Sequence, residues 1–305
     1  MSGLRIGVVV NPTAGRGRGE GEGRHLLEAT RARGHEVHDL SAADLRAAEQ
    51  HVRQALVDGL DVLVVAGGDG MVHLGVNAVA GTDLPLGIVA SGTGNDIARA
   101  MGLPRHDAKA SVRTIERGLE SGGRAVDAAV IGPPDYSVRE WFIGVLSCGV
   151  DAAVNARANA LTWPKGSGRY LRALRIELMR FRPYGYRITL DDETWESTGT
   201  LVAVANGGLF GGGMRIAPDA RMDDGLLDVV IAGPLSRSEL LAVFPRVYKG
   251  SHVTHPACTV RRSRRVLIEH SQVGPEPPAA MADGEHIGPL PLLVEAQPGA
   301  VRLLA

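Results

Sequence analysis

Val62-Leu63-Val64-Val65-Ala66-Gly67-Gly68-Asp69-Gly70 is an unbroken apolar run that ends abruptly in glycines. A short aliphatic run without polar alternation is the pattern of a strand buried on both faces of a parallel sheet. Helical patterning follows it through Ala80. The same succession occurs upstream, where Leu4 to Val10 runs into Asn11-Pro12-Thr13-Ala14-Gly15-Arg16-Gly17 and a helical stretch to about Arg33, ended by Gly34. It occurs again downstream, where Leu86 to Val89 runs into Ser91-Gly92-Thr93-Gly94-Asn95-Asp96 and a short helix to Met101. Between the first two units, Glu36 to Leu40 reads as a strand and Asp44 to Asp58 as a helix capped by Gly59. Alternating strands and helices predict an α/β domain whose ligand lies at the carboxyl ends of its strands.

After about Asp127 the pattern changes. Strand-like pieces dominate: Glu140 to Leu146, Tyr186 to Leu190, Gly199 to Ala205, Leu226 to Ala232, Thr259 to Ile268 and Pro291 to Glu295, separated by Gly, Pro and Asp turns. This predicts an antiparallel β domain of the sandwich or barrel type, interrupted by two helices, about Ser167 to Phe181 and Ser236 to Tyr248. The expected division is 1–127 and 128–305, with the last strand, Ala300 to Leu304, a candidate to return to the first domain.

The composition agrees. A chain of 305 residues with 44% hydrophobic and 22% charged side chains is an ordinary globular composition for about two domains. No apolar run approaches the ~20 residues that cross a bilayer. The N-terminus lacks a signal-peptide layout, and two cysteines point to a reducing compartment, so the expected location is cytoplasmic. The net charge of −1 and 4% aromatic content argue against a nucleic-acid partner. Forty glycines are the anomaly, about 13% of the chain where about 7% is usual.

Glycine loops between strands and helices suit phosphate. A phosphate chain needs several backbone N–H donors at close range, preferably at a helix N-terminus, and glycine keeps side chains out of the way. Gly67, Gly68, Asp69 and Gly70 form one such loop, Thr93, Asn95 and Asp96 belong to the next, and Asn11 to Gly15 completes a three-loop rim. Asp69 would hold the loop or reach a nucleotide-bound Mg²⁺. Taken alone, Gly-Gly-Asp-Gly is equally an ordinary turn; it is the repetition after three strands that carries the reading. The P-loop spacing is absent, and the first loop does not match the dinucleotide Gly-x-Gly-x-x-Gly fingerprint.

These loops, with Ala217-Pro218-Asp219-Ala220-Arg221-Met222-Asp223-Asp224-Gly225-Leu226-Leu227-Asp228 and Asp283-Gly284-Glu285, resemble the diacylglycerol kinase catalytic-domain family in its bacterial lipid-kinase branch, related to sphingosine and ceramide kinases. The blocks occur in the family's order across nearly the whole chain. The resemblance implies a phosphofructokinase-like N-terminal domain that binds ATP, a C-terminal β-sandwich and an active site in the cleft between them. It also implies a general base for the lipid hydroxyl on the Asp-Gly-Glu turn, Asp283 as first choice, with Glu285 assisting or taking the role itself. For the turn around Asp223-Asp224-Gly225 it implies a structural Mg²⁺ held by the Asp224 carboxylate and the carbonyls of Arg221 and Leu226, with Asp127 supporting it through water. One residue departs from the family: Met71 stands where threonine usually follows Gly-Gly-Asp-Gly.

Between Ala156 and Arg187 there are eight basic residues and one acidic residue, Glu177. On a helix here, Leu171, Leu174, Leu178 and Phe181 would share one face, with Arg169, Arg172 and Arg180 on the other. Arg246, Lys249, Arg261, Arg262, Arg264 and Arg265 form a second basic group. Such a surface suits peripheral contact with an anionic membrane, from which a lipid kinase collects its substrate. The leading expectation is therefore an ATP- and Mg²⁺-dependent lipid kinase. The alternatives are a catalytically impaired nucleotide- or lipid-binding regulator, prompted by Met71, and an NAD kinase, which shares Gly-Gly-Asp-Gly. The sequence does not give the oligomeric state.

Overall fold

The computed structural model describes residues 3–11, 19–163, 167–191 and 193–305. They form two compact units, one of residues 1–128 and 298–305, the other of residues 129–297.

In the first unit β1 (Arg5–Val10), β2 (Glu36–Asp39), β3 (Val62–Gly67) and β4 (Leu86–Ala90) are parallel in the order β2-β1-β3-β4. Every residue of β3 and β4 is buried, as their unbroken apolar sequences require. The connecting helices are α1 (Gly19–Arg31), α2 (Leu45–Asp58), α3 (Asp69–Val79), α4 (Asp96–Ala100) and α5 (Ala108–Ser121). Asp44 caps α2 by accepting from the Ala47 N–H, and Gly59 closes it at φ 90°. The core beneath the sheet joins Val8, Val64 and Val89 to Leu26 of α1 and Val112 and Ile115 of α5.

β5 (Arg124–Gly132) leads into the second unit, which contains two antiparallel sheets. Its strands are β6 (Glu140–Phe142), β7 (Val145–Gly149), β8 (Tyr184–Leu190), β9 (Glu193–Gly199), β10 (Leu201–Ala205), β11 (Leu227–Ala232), β12 (Cys258–Ser263), β13 (Arg265–His270), β14 (Ala280–Ala282), β15 (Glu285–Gly288) and β16 (Leu292–Leu303). One sheet runs β12-β11-β10-β7-β14-β15; the other contains the successive pairs of β16, β13, β8 and β9. Alternate residues, Val202 and Val204 of β10 with Ile188 of β8 and Val266 of β13, fill the sandwich core between them. The strand expected over Pro291 to Glu295 and the final strand are one element: β16 continues until Leu303 pairs in parallel with Leu86 of β4.

Helices α6 (Val150–Ala160), α7 (Ser167–Arg180) and α8 (Arg237–Lys249) accompany the six-stranded sheet. The sequence reading misses α6. Val150, Val154 and Ala158 are buried along one side, but Ala152 is buried on the opposite side and alanines recur around the helix, so no apolar stripe stands out. The strand expected over Glu140 to Leu146 is broken at Ile143-Gly144, for a reason found in the site below.

Candidate functional site

In the first unit the glycine loops that follow β3 and β4 meet at the carboxyl ends of these strands, beside Asn11 at the end of β1. The Gly67 carbonyl accepts from the N–H groups of both Ser91 and Gly92, at 2.9 and 3.1 Å, and the Asn11 N–H bonds to the Ala66 carbonyl at 2.9 Å. A Cβ placed on Gly92 would lie 2.3 Å from the Gly68 Cα, so the third loop needs glycine there for backbone to pass backbone. Asp69, in the first turn of α3, accepts the Ile97 N–H at 3.0 Å and so ties the second loop to the third. Asn95 adopts φ 54°, is buried, and donates its amide to the Gly92 carbonyl at 2.8 Å. Its Oδ1 is buried without a hydrogen-bond partner. Asp96 is buried in the first turn of α4, and Thr93 is exposed at the rim. Gly68 begins α3 without a side-chain cap, which leaves first-turn N–H groups for a ligand. This cradle fits a polyphosphate. Pro12, Thr13, Ala14 and Gly15 lie outside the described residues.

The Met71 side chain is buried beneath the loop, its Cγ 2.4 Å from where a Gly67 Cβ would stand. It belongs to the core, and the backbone donors above it are unaltered.

In the second unit, Asp283 and Glu285 sit on the β14–β15 turn with quite different surroundings. Asp283, at φ 52°, accepts three backbone protons, from Ile143 at 3.0 Å, Gly144 at 2.9 Å and Val145 at 3.1 Å. Those amides turn to one carboxylate instead of a neighbouring strand, and this breaks the expected strand into β6 and β7. Asp283, the first choice for a base from the resemblance, therefore has its lone pairs engaged in holding the chain. The half-buried Glu285 carboxylate makes no hydrogen bond or ion pair among the described residues.

The expected metal turn is also engaged. Asp224 Oδ1 accepts the Leu226 N–H at 3.1 Å, and its Oδ2 is bonded to the Arg262 guanidinium. The same guanidinium faces Asp228, its cross-strand neighbour, at 3.7 Å. Burial raises the Asp228 carboxyl above the usual carboxylate range, the Arg262 charge opposing. The Arg221 side chain pairs with Asp223 at 3.1 Å. Asp127, buried in the first unit, accepts the Gly299 N–H at 2.7 Å. No group of three or more metal-ligating side chains occurs among the described residues. An ion held by the Asp224 carboxylate would compete with Arg262 for it.

Most of the second basic group is similarly occupied. Arg246 donates to the Ser251 carbonyl and Thr254 hydroxyl, Arg261 faces Glu193, and Arg265 pairs with Glu295.

The sequence reading contains no hint of an apolar cavity on the outer side of the six-stranded sheet. It holds about 80 Å³ of space for water-sized molecules and opens to the surface. Leu201 and Val230 form its floor, Val154, Tyr170, Leu174 and Leu178 one wall, and Leu240, Leu241, Phe244 and Val247 another. Asp151 of α6 is the lone carboxylate lining it; both oxygens are shut off from solvent without a hydrogen-bond partner. Burial pushes this carboxyl above the usual carboxylate range, against a weaker opposing influence of the Ser147 hydroxyl.

The α/β and β-sandwich units, with a glycine cradle at the strand ends of the first, define a phosphotransferase-like architecture. Residues 5–129 match the diacylglycerol kinase catalytic domain, and residues 144–305 match the YegS C-terminal NAD kinase beta sandwich-like domain. The chain is 35% identical over 301 residues to a diacylglycerol kinase of Mycobacterium tuberculosis, covering 98% of this chain and 94% of that one. It is 25% identical over 291 residues to a diacylglycerol kinase of Bacillus subtilis, covering 94% and 91%. A crystal structure of a diacylglycerol kinase from Bacillus anthracis shares the fold, with TM-score 0.70 at 20% identity, covering 99% of this chain and 96% of that one. The chain belongs to the diacylglycerol kinase family. Among the described residues, no helix is long and apolar enough to cross a membrane.

Proposed function

We propose that the protein transfers the γ-phosphoryl group of ATP to the hydroxyl of a diacylglycerol-like or sphingoid lipid, working as a cytoplasmic enzyme at the membrane surface. The observation that carries the lipid acceptor is the apolar cavity of the sandwich unit, whose lining suits a hydrocarbon chain. An NAD acceptor would find little in that lining to pair with its polar groups. The first-turn amides of α3 and the Gly92 loop support the nucleotide side, since fixed N–H donors stabilise phosphoryl charge without reorganising. ATP supplies the phosphoryl group and Mg²⁺ bound to it neutralises charge; the described residues fit the phosphates but give no separate cage for a metal.

Glu285 is the group best suited to accept the hydroxyl proton as the acceptor oxygen bonds to phosphorus and ADP leaves. Its carboxylate has no competing partner among the described residues, whereas Asp283 fixes the turn that carries it. Met71 gives little support to an impaired regulator, because its side chain lies in the core.

The test is transfer of labelled phosphate from ATP to a panel of diacylglycerol, sphingosine and NAD. A labelled lipid supports the proposal. Label in NAD alone, or lipid binding without turnover in both the wild type and Met71→Thr, overturns it.

A further inference from the structure

The two helices that wall the cavity expose side chains poorly suited to water. On α7, Leu171 is 63% and Met179 58% exposed, and with Arg172 and Arg175 they fall within roughly 100° of the helix circumference. By period Leu171 shares a face with Leu174 and Leu178, and the structure exposes it while those two line the cavity. On α8, Leu241, Pro245 and Tyr248 are exposed within roughly 60° of one another. Trp163, 70% exposed, lies beneath the Arg172 guanidinium at 5.5 Å. Single exposed apolar residues need no explanation, but aligned ones on both walls of one cavity do.

Leu241 is 57% exposed and also lines the cavity, so it marks where the cavity reaches the surface. The charge on the exposed sector of α7 is all positive. Its one acidic residue, Glu177, is turned inward and bonded to Arg157. Apolar side chains among unopposed arginines complement the interface of an anionic bilayer, where hydrocarbon lies just below negative headgroups.

We propose that the outer faces of α7 and α8 dock on an anionic membrane, and that the lipid acceptor enters the cavity past Leu241 directly from the bilayer. The entry step rests on the reading of the acceptor as a lipid; the docking step does not.

The full chain would be sedimented, without nucleotide, with vesicles of phosphatidylcholine alone and of phosphatidylcholine mixed with phosphatidylglycerol. Binding should favour the mixed vesicles and weaken with salt. Arg172→Gln with Arg175→Gln should lower affinity about 30-fold, at about 1 kcal/mol for each cation. Leu171→Gln with Met179→Gln should also reduce binding, leave the melting temperature unchanged, and reduce turnover of vesicle-embedded acceptor while sparing a short-chain acceptor in solution. Equal binding by the wild type and both double variants overturns the proposal. So does a dimer that Leu171→Gln with Met179→Gln dissociates while vesicle binding is unchanged, because the face would then be an interface between copies. Vesicle binding as expected but no lipid phosphorylated refutes the kinase reading and leaves docking intact; lipid phosphorylation without vesicle binding does the reverse.

Discussion

Gly92 and Gly68 approach so closely that a Cβ on the first would stand 2.3 Å from the Cα of the second. Two loops from successive strands thus meet backbone to backbone, with no side chain between these two glycines. Gly92→Ala forces them apart. It should destabilise the protein by about 1–3 kcal/mol, the usual cost of overpacking, and weaken ATP binding measured by calorimetry. Gly21→Ala, in α1 with nothing within 4 Å of the added carbon, is the control and should stabilise by about 1 kcal/mol. Equal ATP affinity in both variants would remove the loops from the nucleotide site.

Asp283 and Glu285 are two residues apart, but the first is bonded to three amides and the second to none. Asp283→Asn should lower stability by about 1–3 kcal/mol, because an amide cannot accept from all three N–H groups as a carboxylate does. Glu285→Gln should leave the melting temperature unchanged and reduce kcat by about 10²–10⁴ with KM for ATP preserved. Normal turnover in Glu285→Gln, with turnover lost in a fully stable Asp283→Asn, would return the proton acceptor to Asp283.

Arg262 is bonded to Asp224 and faces Asp228 at 3.7 Å. Chelation with EDTA should therefore leave the melting temperature of the nucleotide-free protein unchanged. Arg262→Gln should lower stability by about 1–2 kcal/mol, the arginine's own exposure screening the rest, and added Mg²⁺ should restore part of the loss. An EDTA-sensitive wild type would mean that a cation resides at the turn after all.

The parts of the molecule legible in the sequence are those governed by neighbours along the chain. Val62 to Gly70 contains its own strand, turn and helix start, and Asp44 is three residues from the amide it caps. What escaped depends on distant partners. The Ile143-Gly144 break is imposed by a carboxylate about 140 residues away, as the separation of that hydrogen bond gives. Arg262 reads as one cation in a basic run until β11 and β12 set it opposite Asp228. The cavity draws its lining from α6, α7, α8, three strands and the segments between them, none of which reveals it alone. The period puts Leu171 on one face with Leu174 and Leu178, and only packing separates them, since those two line the cavity and Leu171 is exposed.

Asp151 offers a pH test of the cavity. Tyr170 of α7, with His252 and His255, are the other titratable groups on the lining besides Cys258, and no lysine, arginine or second carboxylate is among the lining residues. Burial raises the Tyr170 phenol and the Cys258 thiol, the latter to about 11, and lowers His252, so each is held toward its neutral form. With its folded-state pKa raised, Asp151 keeps its proton in the native protein at pH values where the unfolded chain has released it. The unfolded state then binds fewer protons, so stability falls as pH rises above the usual carboxylate range near 4, and the loss levels off above the folded-state pKa. Asp151→Asn removes this dependence. Thermal melts should find the variant more stable than the wild type at neutral pH, with the two converging as pH falls toward 4. A variant less stable at neutral pH and equal in slope would mean that Asp151 is ionised in the native state and held by partners. Its place as a neutral hydrogen-bonding group in the lipid cavity would then be lost.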